Sequence, residues 1–338
     1  MSRRALITGI SGQDGSYLAE LLLEEGYEVF GTVRRPTSSS FPNIEGIRDR
    51  LTLTRVDLLD LDSLARAVSE AEPHEVYNLA APSFVPRSWE EPSETAEFAA
   101  VGATQLLEAI RVTQPEARVY QACSSEIFGE PLEAPQHEAT PVLPLTPYGA
   151  AKAYSFFIAR AYRRRYGLHA SCGILYNHES PRRPLEFVPR KVTNAAARVA
   201  LGLQETLVLG DLDARRDWGF AGDYVRAMWL MLQQEEPDDY VVATGVSHAV
   251  RDLVELAFGQ VGLDWERHVR MDDHLRRGPA ELHNLVGDAS KARERLGWEP
   301  TVDLEALMRM LVDADLALLS GAAAARPAGS SHDSAPSP

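Results

Sequence analysis

Residues 5–35 read ALITGISGQDGSYLAELLLEEGYEVFGTVRR, and the order of elements in this stretch decides the fold. A short apolar run (5–8) ends in Gly9-Ile10-Ser11-Gly12-Gln13-Asp14-Gly15, a GxxGxxG spacing. Apolar residues then recur at helical intervals through 13–25, and a second strand-like run fills 27–33. Strand, glycines and helix in that order let the main chain turn tightly and approach a phosphate. The helix N-terminus supplies free N–H groups and a favourable dipole. A plain glycine turn is the alternative reading, and the flanking strand and helix favour the phosphate.

Outward from this unit the rhythm continues, with a strand at 51–56, helix at 61–71, strand at 74–79, helix at 92–114 and strand at 117–123. Such alternation predicts parallel strands with crossover helices, a Rossmann-type doubly wound α/β sheet. A further helix begins near Thr146 and ends at Gly167, and the strand LHASCGILY follows it. From about Asn177 the regularity breaks, which predicts a smaller C-terminal α/β substrate-binding lobe. The expected division is 1–176 for the cofactor with later segments interleaved, 177–318 mainly for the substrate, and 319–338 as a disordered tail. The tail reads GAAAARPAGSSHDSAPSP from Gly321, too poor in large apolar groups to order itself.

The bulk numbers bound the function. A chain of 338 residues with 45% hydrophobic content can fill a large core and a smaller one. A net charge of -15 argues against a nucleic-acid partner. Cys123 and Cys172 sit in strand-like runs without metal-site spacing, so buried thiols and no metal are expected. The sequence has no signal-type leader and no apolar run of membrane-spanning length, which predicts a cytoplasmic protein without a membrane partner.

The second strand closes on Val33-Arg34-Arg35, where an NAD site would present an acid to the ribose. Arginines there suit a 2′-phosphate and predict NADP; two solvated surface arginines are the alternative. Asp57-Leu58 and Leu79-Ala80-Ala81 close the third and fourth strands, at the ends where such a sheet binds ligands. Asp57 suits either the adenine amino group or a helix cap.

Tyr148 and Lys152 form a YxxxK pair on one helix face. An ordinary tyrosine has a pKa near ~10, and an adjacent ammonium would lower it, making the phenolate a base for a sugar hydroxyl. Ser124 and Glu126 follow the fifth strand in Ser124-Ser125-Glu126-Ile127-Phe128-Gly129. Ser124 can hydrogen-bond the oxygen being oxidised. Once C4 of a hexose is a ketone its C5 hydrogen is acidic, and Glu126 can remove it while the C6 hydroxyl leaves as water. The plainer reading makes Ser124 a cap and Glu126 a first-turn acid.

With these residues assembled, the chain resembles the extended short-chain dehydrogenase/reductase superfamily, and within it the GDP-mannose 4,6-dehydratase family over residues 4–318. SSEIFG, YGAAK, YNHESPRRPLEFVPRK, LGDLDARRDWGFAGDYVRAMWLMLQ and LGWEP carry the likeness together with the opening stretch. The resemblance implies catalytic roles for Ser124, Glu126, Tyr148 and Lys152. It implies cofactor contacts at Gly9, Gly12, Gln13, Asp14, Gly15, Arg34, Arg35, Asp57, Leu58, Leu79, Ala81, Ser83, Tyr148, Lys152, His178 and Arg183. Substrate contacts are implied at Ser83, Ser124, Glu126, Tyr148, Asn177, Lys191, Arg216, Arg277 and Glu281. The chain departs from the family at Pro82, Pro184 and Gly278. The implied activity is a nucleotide-sugar dehydratase acting on GDP-D-mannose. The alternatives are a GDP-sugar C4 reductase or epimerase, and a catalytically weak NADP-binding homologue. The Ser/Thr-rich loop from Pro36 to Phe41 is placed by the same likeness to reach a neighbouring subunit, so a homodimer or homotetramer is expected.

Overall fold

The computed structural model describes residues 2–34, 36, 39–275 and 285–324. Arg35, Arg277 and Glu281, three of the expected ligand contacts, lie outside them. In chain order the strands are β1 (Arg4–Thr8), β2 (Glu28–Val33), β3 (Leu51–Arg55), β4 (Glu75–Asn78), β5 (Arg118–Ser124), β6 (Ala170–Leu175), β7 (Asn177–Glu179), β8 (Leu207–Leu209), β9 (Arg215–Phe220), β10 (Asp239–Val242), β11 (Ser247–Ala249) and β12 (Val269–Met271). Seven of them form one sheet in the order β10-β6-β5-β4-β1-β2-β3. Every pairing in it is parallel. The strand order reverses between β1 and β4, which opens a crevice beyond their carboxyl ends.

The long helices cover both faces, as buried parallel strands require. Helices α1 (Gln13–Glu24) and, later in the chain, Ala221–Gln233 pack on one side; α2 (Leu61–Ala71), the run ending at Thr113, and Pro147–Tyr166 pack on the other. β10 and the helix Ala221–Gln233 return to this sheet after the chain has left it. A separate apolar core gathers residues of Val188–Ala200, Val250–Gln260 and Leu304–Ala324 with β8, β9 and β12. Between the two cores runs the three-stranded sheet β11-β9-β7.

Two elements differ from their sequence expectation. The helix expected over 92–114 is broken into Pro92–Ala96, a π-turn at Glu97–Val101 and Gly102–Thr113. The wider turn is accompanied by a bond across the helix pair: Ser155 donates to the Ala99 carbonyl at 2.5 Å. The last helix runs on through the alanines to Ala324, past the expected start of the tail, because an alanine run is the sequence most willing to extend a helix. Residues 325–338 lie outside those described. Among the described residues no helix is long and apolar enough to cross a membrane.

Candidate active site

One cleft lies at the strand-order reversal, and the glycine loop forms its floor. Gly15 is obligatory there: a Cβ would stand 2.4 Å from the Gly9 carbonyl oxygen, so any side chain would push the helix start off the loop. The opposite wall comes from the ends of β4, β5 and β6, with Leu79, Ala81, Ser83, Ser124, Glu126, Tyr148 and Lys152 on it. Asn177, His178, Arg183 and Arg216 close the third side.

Each reacting group is held by a nameable contact. Ser124 ends β5 and its Oγ accepts from the Glu126 amide at 3.3 Å, so it caps the following 3-10 turn while its side chain lines the cleft. Glu126 is 9% exposed, and Thr146 donates to its Oε2 at 3.4 Å. Thr146 in turn accepts from the Gly149 amide at 2.9 Å, capping the helix that carries Tyr148 and Lys152. Gly149 lets the two elements meet: a Cβ there would lie 2.6 Å from the Glu126 carbonyl oxygen. One threonine and one glycine therefore fix the carboxylate against the tyrosine helix.

Tyr148 and Lys152 share the face predicted for them, but their electrostatics differ from expectation. Burial pushes the Tyr148 phenol well above the usual tyrosine value; the Ser124 hydroxyl pulls it down and Glu126 pushes it up further. Lys152 donates to the Ala122 carbonyl at 3.0 Å, and its Nζ stands 5.8 Å from the Tyr148 ring centroid. Burial lowers the lysine's own value. Burial is the largest influence on the phenol and outweighs the pull of the Ser124 hydroxyl.

Asp14 and His178 contact each other across the cleft floor. The imidazole Nδ1 stands 2.8 Å from the Tyr176 carbonyl and Nε2 stands 2.9 Å from Asp14 Oδ2. A carbonyl and a carboxylate both accept, so each ring nitrogen faces an acceptor, an arrangement that favours the imidazolium. Burial alone would raise the Asp14 carboxyl, but the charge and hydrogen bond of His178 hold it down at about 2. Burial alone would lower His178, and Asp14 holds it above the usual imidazole value. Gln13 adds a second tie, donating to the His178 carbonyl at 3.1 Å and accepting from Ser180 at 2.8 Å. The glycine loop is thus bolted to β7.

Other expected contacts stand apart from the cleft wall. Asp57 accepts from the Leu59 amide at 3.0 Å and shapes its own turn, while Asp60 caps α2. Leu58 packs against the core beside Gly102. Arg34 is exposed at the end of β2, 4.0 Å from Glu94 and with its guanidinium over the Phe98 ring. Lys191 donates to the Val208 carbonyl at 2.8 Å. The residues missed from sequence are Thr146, Gly149 and Glu179. The first two were legible as a Thr-Pro helix start followed by glycine. Glu179 was legible from two-residue alternation, which sends it to the same side of β7 as Asn177. It is 1% exposed and its value is raised by burial.

The likeness to known proteins agrees with this geometry. The model of the family described as GDP-mannose 4,6 dehydratase matches residues 6–311. GDP-mannose 4,6 dehydratase 1 of Arabidopsis thaliana is 51% identical, covering 93% of this chain and 90% of its own. GDP-mannose 4,6-dehydratase of Sinorhizobium fredii (strain HH103) is 47% identical over 94% of this chain and 97% of its own, and the Homo sapiens protein 44% identical over 93% and 92%. Among solved structures, dTDP-glucose 4,6-dehydratase from Streptomyces venezuelae, solved with NAD and TYD, superposes with a TM-score of 0.81 at 27% identity, covering 92% of this chain and 96% of that one. The fold also matches RMD from Pseudomonas aeruginosa, complexed with NADPH, with a TM-score of 0.78 at 23% identity over 93% and 99%. With a family model spanning most of its length and relatives this similar across nearly the whole chain, the chain belongs to the GDP-mannose 4,6-dehydratase family.

Proposed function

We propose that the protein converts GDP-D-mannose to GDP-4-dehydro-6-deoxy-D-mannose and water. The observation that carries the reading is the meeting of Glu126 with Ser124, Tyr148 and Lys152 on one cleft wall, opposite a phosphate-type glycine loop. A carboxylate at this place serves elimination, which oxidation and reduction at C4 do not require. A nicotinamide dinucleotide fits the glycine loop, where a Cβ at Gly9 would stand 3.0 Å from Ala80 and one at Gly15 2.4 Å from the Gly9 carbonyl oxygen, so the main chain is bare at those positions. When bound, the nicotinamide supplies a hydride acceptor for C4, a hydride donor for C6 and a positive charge opposing the penalty on a buried Tyr148 phenolate. Tyr148 takes the C4 hydroxyl proton, with Ser124 hydrogen-bonding the same oxygen. Glu126 removes the C5 proton and passes it to the departing C6 hydroxyl, and the proton held by Tyr148 would return to the ring at C5 as hydride is delivered to C6.

The finer assignments belong to the same proposal. NADP rather than NAD is supported by Arg34 at the end of β2, with Arg35 beside it in sequence. Residues 1–176, with later segments, would hold the cofactor, and 177–318 mainly the sugar nucleotide, with Asn177 and Arg216 facing it. Exposed Tyr154 and Phe157 on the Pro147–Tyr166 helix support a homodimer or homotetramer, and the buried free thiols of Cys123 and Cys172 support a cytoplasmic protein. The test is incubation of GDP-D-mannose with enzyme and catalytic NADP, read by mass spectrometry. Loss of one water without net NADPH consumption is expected. In a parallel incubation of a 4-keto GDP-sugar with NADPH, stoichiometric NADPH oxidation would mark a reductase instead, and a product of unchanged mass from GDP-D-mannose would mark an epimerase.

A further inference from the structure

The turn Ser180–Arg183 is gripped from two sides. In front, Ser180 donates to Gln13 at 2.8 Å, and Arg182 is clamped to α1 through Ser16 at 3.0 Å, Glu20 at 2.6 Å and the face of Tyr17 at 4.1 Å. Behind, Arg190 donates through Nη1 to the carbonyls of Pro181 and Arg183, and through Nη2 to Asp315 of the last helix. The two side chains are 5% and 0% exposed. Thr193 and Asn194 complete the shell of Asp315 at 2.8 Å and 3.1 Å.

A buried ion pair of this kind is weak evidence for stability, since apolar residues of equal volume often serve as well. Its geometry is the informative part. A guanidinium fork alone can meet two carbonyls on one edge and a carboxylate on the other; an ammonium is a point charge and cannot. What the fork holds is the main chain at Arg183, whose guanidinium lies 3.5 Å from the Phe187 ring centroid in the cleft. Arg183 Nε and Glu179 Oε2 stand 3.5 Å apart, and both are buried without a hydrogen-bond partner. Both residues line the cleft, and their ion pair leaves these two buried atoms without a hydrogen bond.

We propose that Arg190 and Asp315 are positioning residues that fix the Arg183 turn at the height at which its guanidinium meets the cofactor, so that the last helix sets cofactor affinity. This rests on the reading of Arg183 as a cofactor contact. Neither Arg190 nor Asp315 reaches the cleft; both act through the Arg183 carbonyl.

The experiment compares Asp315→Asn, Arg190→Lys and Arg183→Met in the full chain. It measures NADP Kd by calorimetry, melting temperature, and kcat and KM for GDP-D-mannose at saturating NADP. Arg183→Met raises Kd directly. Asp315→Asn keeps the shape but not the charge, and Arg190→Lys the charge but not the fork. Each raises Kd by about tenfold, the scale of a sub-ångström misplacement, while kcat at saturation is largely kept. A lowered melting temperature with wild-type Kd in both, beside a raised Kd in Arg183→Met, overturns the proposal and leaves the pair structural. An unchanged Kd in Arg183→Met removes the reading beneath the proposal, and the proposal with it. Should the first two variants fail to fold, Thr193→Val removes one bond to Asp315 and no charge; a raised Kd there supports the proposal and a wild-type Kd overturns it.

Discussion

Replacing Gly149 by alanine should separate helix stability from catalysis. The added Cβ would stand 2.6 Å from the Glu126 carbonyl oxygen, and an ordinary contact begins at 3.4 Å, so the Glu126 turn and the tyrosine helix must part by about 0.8 Å. The nearest atom is main chain, and the next, Thr146 Oγ1 at 3.1 Å, is the short side chain that caps the same helix, so no long flexible side chain can absorb the shift. Misplacement near 1 Å costs up to about 100-fold in rate, so a fall of roughly 10- to 100-fold in kcat is expected. The same change stabilises a helix by roughly 0.5–1 kcal/mol when there is room. Gly102→Ala is the control, because its Cβ would meet nothing closer than Leu58 Cβ at 3.5 Å. Turnover of GDP-D-mannose by mass spectrometry, with thermal melting beside it, reads both effects. Equal turnover in the two folded variants would refute the claim that this contact sets the position of Glu126.

Glu126→Gln should retain cofactor binding and lose roughly 10²–10⁴-fold in dehydration, the range of a positioned acid–base group; near-normal turnover would remove it from the mechanism. Arg34→Ala with Arg35→Ala should weaken NADP selectively, and an equal loss for NAD would contradict the 2′-phosphate assignment. The Asp14–His178 pair predicts a pH signature. Asp14, held down at about 2, contributes stability that is present above the ordinary carboxylate range and is lost as pH falls through about 2. His178, held up, contributes below the ordinary imidazole range and loses its share as pH rises through its elevated value. Asp14→Asn should therefore melt below the wild type, with the gap widest near pH 5–6 and narrowing in mild alkali. Its cost should be about 2 kcal/mol, below the ~3–5 of a fully buried pair, because the side chains are 11% and 23% exposed. A gap independent of pH would mean that His178 is neutral.

The sequence by itself determined the local matters. Alternating apolar runs specified the parallel strands, since a strand buried on both faces must be apolar along its length. The spacing Gly9, Gly12, Gly15 specified a tight loop bare of side chains at those three positions, and the four-residue step from Tyr148 to Lys152 put both on one helix face. Tertiary structure decided which charges meet. No spacing announces that Asp14 pairs with His178, 164 residues away, or that Arg190 pairs with Asp315, 125 away. It also raised the Tyr148 phenol where the sequence predicted a lowering, because a pKa depends on how much water the fold removes. Sequence states which groups are available; three-dimensional packing settles how much solvent each keeps, and the chemistry follows from that.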